Sequence, residues 1–285
     1  MISIDGLPDP DALRDSHGVI GRRRELEDLL ACVAAGRNVL MEGPVGVGKT
    51  ALARTAAAGL GRACVRIDGD GRYSESKLVG QFDPPVVLER GYTPDAFLPG
   101  PLVRAMTEGA VLFINELNRM PEGVQNVLLP ALDEGLLDVP RYGVVRAAPG
   151  FVAIATQNPA EFVATGELAE ALRDRFELLR LTYQSEAEER LIVAREARRS
   201  PSPAVVAEAV ALTRATREDR RVRRGASVRA AIAIADIAVG LNGDVARAAA
   251  LALPGRVELV DERGLEPAKW VDSLQERLKK KALTT

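Results

Sequence analysis

Residues 43–50 read Gly43-Pro44-Val45-Gly46-Val47-Gly48-Lys49-Thr50 and fit the pattern G-x-x-x-x-G-K-S/T. An apolar run, Asn38 to Met41, precedes the match, and an alanine-rich stretch, Ala51 to Leu60, follows it. The order is therefore strand, loop, helix, the context in which the pattern has physical meaning. Its glycines let successive backbone N–H groups curl around phosphate oxygens, and the helix N-terminus adds the positive end of its dipole. Lys49 is placed to reach β- and γ-phosphates, and the Thr50 hydroxyl to ligate Mg²⁺. The nucleotide-binding set then runs from Gly43 through Ala51.

Further short apolar runs follow at Cys64–Ile67, Ala110–Ile114, Phe151–Ala155 and Leu178–Thr182, each of strand length. Helical patterns lie at Arg22–Ala35, Pro101–Glu108 and Pro121–Glu134. Roughly the first 180 residues thus read as β-α units around a mainly parallel sheet. Two stretches interrupt the rhythm, Gly80–Gly100 and Leu136–Pro149, and both read as inserted hairpins, the first turning at V-V-L-E-R-G-Y. From Ser185 the pattern is all-helical: a capping box at Ser185–Glu188, then helices from Ser202-Pro203 to about Thr216, from Ser227 to Gly240, and from Pro267 to Lys281. The expected division is 1–183 and 184–285. The charge run Arg217–Arg224 reads first as a solvated helix end.

Composition narrows the function. The 38 Lys+Arg against 40 Asp+Glu leave a formal charge of −2, so no basic excess asks for nucleic acid. Two cysteines, Cys32 and Cys64, and one histidine, His17, leave no disulfide framework, Cys-rich zinc site or His-based metal cluster. No run of about 18 apolar residues is present, and the acidic, proline-containing start is unlike a signal peptide. A reducing, cytoplasmic setting with no membrane segment is expected.

A phosphate-binding loop needs a second strand ending in acids near the γ-phosphate. Ala110–Ile114 followed by Asn115-Glu116 supplies it, with Glu116 as general base or water-orienting group. Asn115 stands where such strands carry the Asp of a Walker B motif. It can accept a hydrogen bond from a metal-bound water but brings no charge, so Asn115→Asp is expected to lower the Mg²⁺ requirement several-fold. Phe151–Gln157 is another strand ending in polar residues, and Asn158-Pro159 emerges at the same carboxyl edge, where open α/β sheets bind ligands.

With these motifs in this order and a helical module behind them, the chain resembles AAA+ ATPases, and among them the MoxR family. The resemblance spans about His17 to Asp236 and is carried by GPVGVGKT, FINELNRMPEGVQNVLLPALDEG, ATQNP, LRDRF and GASVRA. Asn115, Arg173 and Val228 depart from the family pattern, which has Asp, Leu and Pro there. The resemblance implies an α/β core with a helical lid, ATP with Mg²⁺ as cofactors, and a homo-oligomeric ring, a hexamer. It gives Asn158 the sensor 1 role, Arg175 the arginine finger, with Arg173 two residues away as a rival, and Arg229 sensor 2. Val19 and Ile20 would line the adenine pocket. Arg90, Tyr92, Arg141 and Tyr142, on the two insertions, become candidate substrate contacts. The implied partners are a protein client and a protein bearing a von Willebrand factor A domain. Two other readings stay open: a nucleotide switch that hydrolyses poorly, and a nucleic-acid motor or restriction NTPase, against which the charge argues.

Overall fold

The computed structural model describes residues 7–158, 168–260 and 267–282. The chain divides into two compact units, 1–43 with 48–181, and 44–47 with 182–285.

Among the described residues of the first unit nine strands occur in chain order: β1 (Val39–Glu42), β2 (Cys64–Asp68), β3 (Gly80–Phe82), β4 (Phe97–Pro99), β5 (Val111–Asn115), β6 (Leu136–Val139), β7 (Gly143–Arg146), β8 (Val152–Gln157) and β9 (Glu177–Arg180). Five form one parallel sheet in the order β2-β5-β8-β1-β9. The four residues Val111–Ile114 and all of β8 are buried, as a parallel sheet covered on both faces requires. Leu102, Met106, Leu128 and Leu172 cover one face. Helix Arg23–Ala34 buries Leu26, Leu29, Leu30 and Val33, the stripe its spacing predicts.

Two local expectations are corrected, and one helix is added. The helix expected over Pro121–Glu134 is split into Glu122–Asn126 and Leu128–Asp133. Pro130 explains the break, since it has no N–H to offer the carbonyl four residues back and its ring crowds that carbonyl. The insertion at 80–100 is no simple hairpin. β3 and β4 do pair antiparallel, but V-V-L-E-R lies in a helix, Pro84–Arg90, started by two prolines in the first turn and stopped at Gly91. Helix Pro10–His17, unforeseen, carries local signals nonetheless: Asp9 caps it, Pro10 opens it, and Gly18 closes it in a left-handed conformation.

The second unit, expected to be all-helical, is mainly but not wholly so: Glu186–Glu196, Pro203–Glu218, Val228–Gly240, Val245–Ala252 and Pro267–Ala282 pack around Val210, Ile234, Ala249 and Trp270, and Val222–Arg224 pairs antiparallel with Glu258–Leu259. The Ser185–Glu188 capping box forms as read. The 217–224 run is not merely solvated. Arg217 and Arg214 pair with the buried Glu189 at 2.7 and 3.0 Å. Asp219, its side chain 2% exposed, accepts from Arg221 at 2.8 Å, from Arg277 at 3.0 Å and from Trp270 Nε1 at 3.3 Å. It thereby ties the final helix to the unit.

The Arg221 hydrogen bonds hold the Asp219 carboxyl well below the ordinary range. A lowered folded-state pKa gives stability that is complete above the unfolded value of about 3.9 and is lost as pH falls through the folded value. Asp219→Asn is therefore expected to cost about 3 kcal/mol at neutral pH, the lower end for a broken pair because Arg221 and Arg277 keep access to water. It should also lessen the acid sensitivity below about pH 4. Trp270, the only tryptophan and fully buried, gives the fluorescence readout for denaturant unfolding of this unit at pH 7 and pH 3.

Candidate active site

The phosphate-binding loop leaves β1 and enters helix Lys49–Gly59. Gly48 caps that helix with φ +93°, a left-handed conformation that any Cβ would strain, which explains the glycine before the lysine. Lys49 Nζ donates to Gly43 O at 2.5 Å, so the ammonium lies over the loop's own backbone. Thr50 is half-buried one residue further on.

β5 and β8 are neighbours, so the strand ends carrying Glu116 and Asn158 meet at one carboxyl edge of the sheet. Glu116 adopts φ +58° and ψ +51°, a left-handed conformation rare for a non-glycine residue and of the kind that clusters at functional sites. The backbone just after β2 approaches it closely: a Cβ at residue 69 would fall 2.1 Å from Glu116 O, so only glycine fits there. Glu116 N–H donates to Thr156 Oγ1 at 2.9 Å, and its carboxylate pairs with Arg119 at 2.7 Å. Thr156 Oγ1 donates to Asn115 Oδ1 at 3.1 Å, and Asn115 Nδ2 donates to Asp68 Oδ1 at 2.8 Å. Asp68 is held by Arg66 at 2.7 Å, whose hydrogen bond keeps the carboxyl below the usual range, with Asn115 adding to the effect.

Asn158 is buried at the end of β8, while Pro159 lies outside the described residues. Beside it Gln157 Nε2 donates to Glu42 Oε1, linking the end of β8 to the strand that enters the phosphate loop. Sequence reading missed Asp68, Thr156, Gln157 and Glu42. The signal available was a polar residue at each strand end, but their pairing depends on strand order.

Arg175 donates to Asp133 Oδ2 at 2.9 Å and to Ala171 O at 2.8 Å. Arg173 is exposed, makes no side-chain ion pair among the described residues, and lines a cleft of about 580 Å³ with Arg37, Glu170, Asp174 and Glu177. Val19 and Ile20 are half-buried between the first two helices. Arg229 belongs to the second unit, exposed in the first turn of Val228–Gly240, and Pro44–Val47 group with that unit too. Of the insertion residues, Tyr92, Arg141 and Tyr142 come together. The Arg141 guanidinium lies 4.1 Å over the Tyr92 ring, Tyr92 meets Phe82 edge-on at 5.0 Å, and Phe97 meets Tyr142 at 4.3 Å. Arg90 instead faces Asp95 at 3.7 Å.

The donors gathered at the strand ends and in Thr50 are oxygens, the ligand type Mg²⁺ takes. Among the described residues no group of three or more His, Cys, Asp or Glu could hold a metal by itself.

Comparison with known proteins places this arrangement. Residues 38–176 match the model of the AAA domain, dynein-related subfamily. GvpN2 of Halobacterium salinarum, a gas vesicle ATPase, is 31% identical over 248 residues, covering 81% of this chain and 70% of that protein. NorQ of Paracoccus denitrificans is 34% identical over 168 residues, covering 58% of this chain and 60% of its own. With other relatives the match spans about half of their length, as with GvpN of Haloferax mediterranei at 51%. A mutant form of RuvB from Thermotoga maritima shares the fold alone, at 18% identity and a TM-score of 0.52, over 97% of this chain and 73% of that one. With a strand order, phosphate loop and strand-end glutamate of this kind, and a relative matched over most of both lengths, the chain belongs to the AAA+ ATPase family.

Proposed function

We propose that this protein is a MoxR-type ring ATPase that hydrolyses Mg·ATP and uses the cycle to remodel or mature a client protein. The observation that carries the reading is the convergence of the Lys49 helix, Glu116 and Asn158 at one sheet edge. Lys49 would neutralise β- and γ-phosphate oxygens, Asn158 would hydrogen-bond the γ-phosphate and the attacking water, and Glu116 would orient that water and take its proton as the γ-phosphorus–oxygen bond to ADP breaks. Thr50 and Asn115 would hold Mg²⁺, the first directly and the second through water, and the ion would supply positive charge against the phosphate oxygens. Arg229 would take the sensor 2 role, and Arg175 or Arg173 would reach the γ-phosphate from a neighbouring subunit of a hexamer. Val19 and Ile20 would receive the adenine. Tyr92, Arg141 and Tyr142, already gathered in one cluster, are the surface through which the client would be engaged.

One relative is named a gas vesicle ATPase, which supports a client that belongs to a larger structure. A partner with a von Willebrand factor A domain and a cytoplasmic location complete the reading. A steady-state ATPase assay with and without DNA tests it. A turnover near or above about 1 s⁻¹, unchanged by DNA, is the expected result. A bound-nucleotide protein far slower than that favours the switch reading, for which the Glu116–Arg119 pair is the specific observation, and strong stimulation by DNA favours a motor.

A further inference from the structure

Asn115 has two chemically different ends, and only one of them can act as a carboxylate does. The amide oxygen accepts hydrogen bonds from metal-bound water, whereas the amide NH₂ only donates. What turns the correct end toward the site is visible one strand away. β2 and β5 pair in register, with Asp68 opposite Asn115, and Asn115 Nδ2 lies 2.8 Å from Asp68 Oδ1. A carboxylate at neutral pH has no proton to give, so the NH₂ end must face Asp68. Oδ1 is thereby sent to the opposite side, toward β8, where Thr156 Oγ1 donates one bond to it and a second lone pair remains. Thr156 can donate there because it accepts from Glu116 N–H. Arg66 also holds Asp68, with Nη2 at 2.7 Å from the same Oδ1 and Nε at 3.2 Å from Oδ2. Every donor and acceptor from Arg66 to Glu116 has one consistent direction.

We propose that Asp68 is the positioning residue that makes Asn115 an acceptor toward the Mg²⁺ water shell, so that the charge and the direction one Asp would supply are divided between neighbouring strands. The inference rests on the Mg·ATP reading above. It also revises the expectation for Asn115→Asp. That change by itself removes the donor that Asp68 accepts from and sets two acceptor groups against each other across that contact. The single variant then brings no gain in Mg²⁺ affinity, whereas the reciprocal double variant, Asp68→Asn with Asn115→Asp, keeps one amide and one carboxylate across the same bond and returns the charge to β5.

The test is a titration of ADP and a non-hydrolysable ATP analogue into the full chain over a Mg²⁺ series, with the wild type, both single variants and the double variant, alongside nucleotide-free thermal midpoints. Asp68→Asn still offers an amide oxygen to Asn115, so a purely structural hydrogen bond survives it, and the thermal midpoint should stay near wild type. The Mg²⁺ concentration that half-saturates tight nucleotide binding should rise about tenfold, the scale of a lost partner to a metal-site ligand. Asn115→Asp should not lower it, and the double variant should bring it back to the wild-type value or below. Should Asp68→Asn prove unstable, the double variant against Asn115→Asp makes the same comparison. A midpoint for Asp68→Asn within twofold of wild type, an improvement from Asn115→Asp alone, or an equal loss in Mg²⁺-free binding overturns the proposal. If the wild type itself shows no Mg²⁺-dependent nucleotide binding, the ATPase reading falls with it; intact wild-type dependence with an unmoved Asp68→Asn removes the Asp68 role alone.

Discussion

Lys49→Ala protein is expected to lose tight nucleotide binding, by a factor on the order of 100 or more. Lys49 supplies the phosphate loop's side-chain cation, and its ammonium offers up to three donors. Each charge-assisted bond to a phosphate oxygen is worth roughly 1.5–3 kcal/mol, so losing even two exceeds the 1.4 kcal/mol per decade needed for that factor. Glu116→Gln should behave in the opposite way, holding ATP while hydrolysis falls by about 10²–10⁴, the range of a positioned general base. Glutamine keeps the size and the acceptor oxygen but cannot take a proton. It also dissolves the ion pair to Arg119, yet both side chains are substantially exposed, so folding should change by less than about 1 kcal/mol. Equilibrium nucleotide titrations and turnover of both variants decide the assignment. Near-normal turnover of Glu116→Gln removes Glu116 as the base, and unaltered affinity of Lys49→Ala removes the phosphate loop from nucleotide binding.

The features legible in the sequence are those fixed by short-range chemistry. The phosphate loop is a contiguous pattern, the apolar runs at 38–41, 64–67, 110–114 and 151–155 lie on strands, and the Ser185–Glu188 box closes within four residues. What escapes depends on topology or on a single residue acting against its surroundings. Asp68 and Thr156 lie 47 and 41 residues from Asn115, and they meet it only because β5 runs between β2 and β8. Pro130 breaks a helix whose apolar spacing continues through it. In the 217–224 run the charges look like a solvated surface because one-dimensional reading cannot see Trp270 and Arg277 arriving from 51 and 58 residues away to enclose Asp219. Helix Val245–Ala252 escapes because its alanines blur the boundary between a buried and an exposed face.

Activity is expected to depend on assembly, because an arginine finger acts in trans and an isolated subunit leaves the γ-phosphate charge uncompensated. Such a finger is worth roughly 10³–10⁵ in rate, about 4–7 kcal/mol of barrier. Within the subunit Arg175 is bound to Asp133, with side-chain exposures of 29% and 54%. An ion pair that exposed contributes about 0–1 kcal/mol, too little to withhold the guanidinium from a neighbour's transition state. Arg173, exposed and unpaired with any carboxylate among the described residues, needs no release at all. Magnitude alone therefore leaves both arginines competent, and mixing experiments separate them. If Arg175 is the finger, subunits with Arg175→Ala and subunits with Glu116→Gln are each expected to be inactive alone. Mixed rings should regain turnover at interfaces where an intact Glu116 faces an intact Arg175, in proportion to the frequency of such pairs. Repeating the mixture with Arg173→Ala identifies the finger: the arginine whose loss costs at least about 10³ and is rescued by mixing is the one that crosses the interface. Specific activity of the wild type should fall on dilution below the assembly range. A rate per subunit that stays flat while the ring dissociates sinks the trans mechanism whichever arginine is removed, since no neighbour then remains to supply either one.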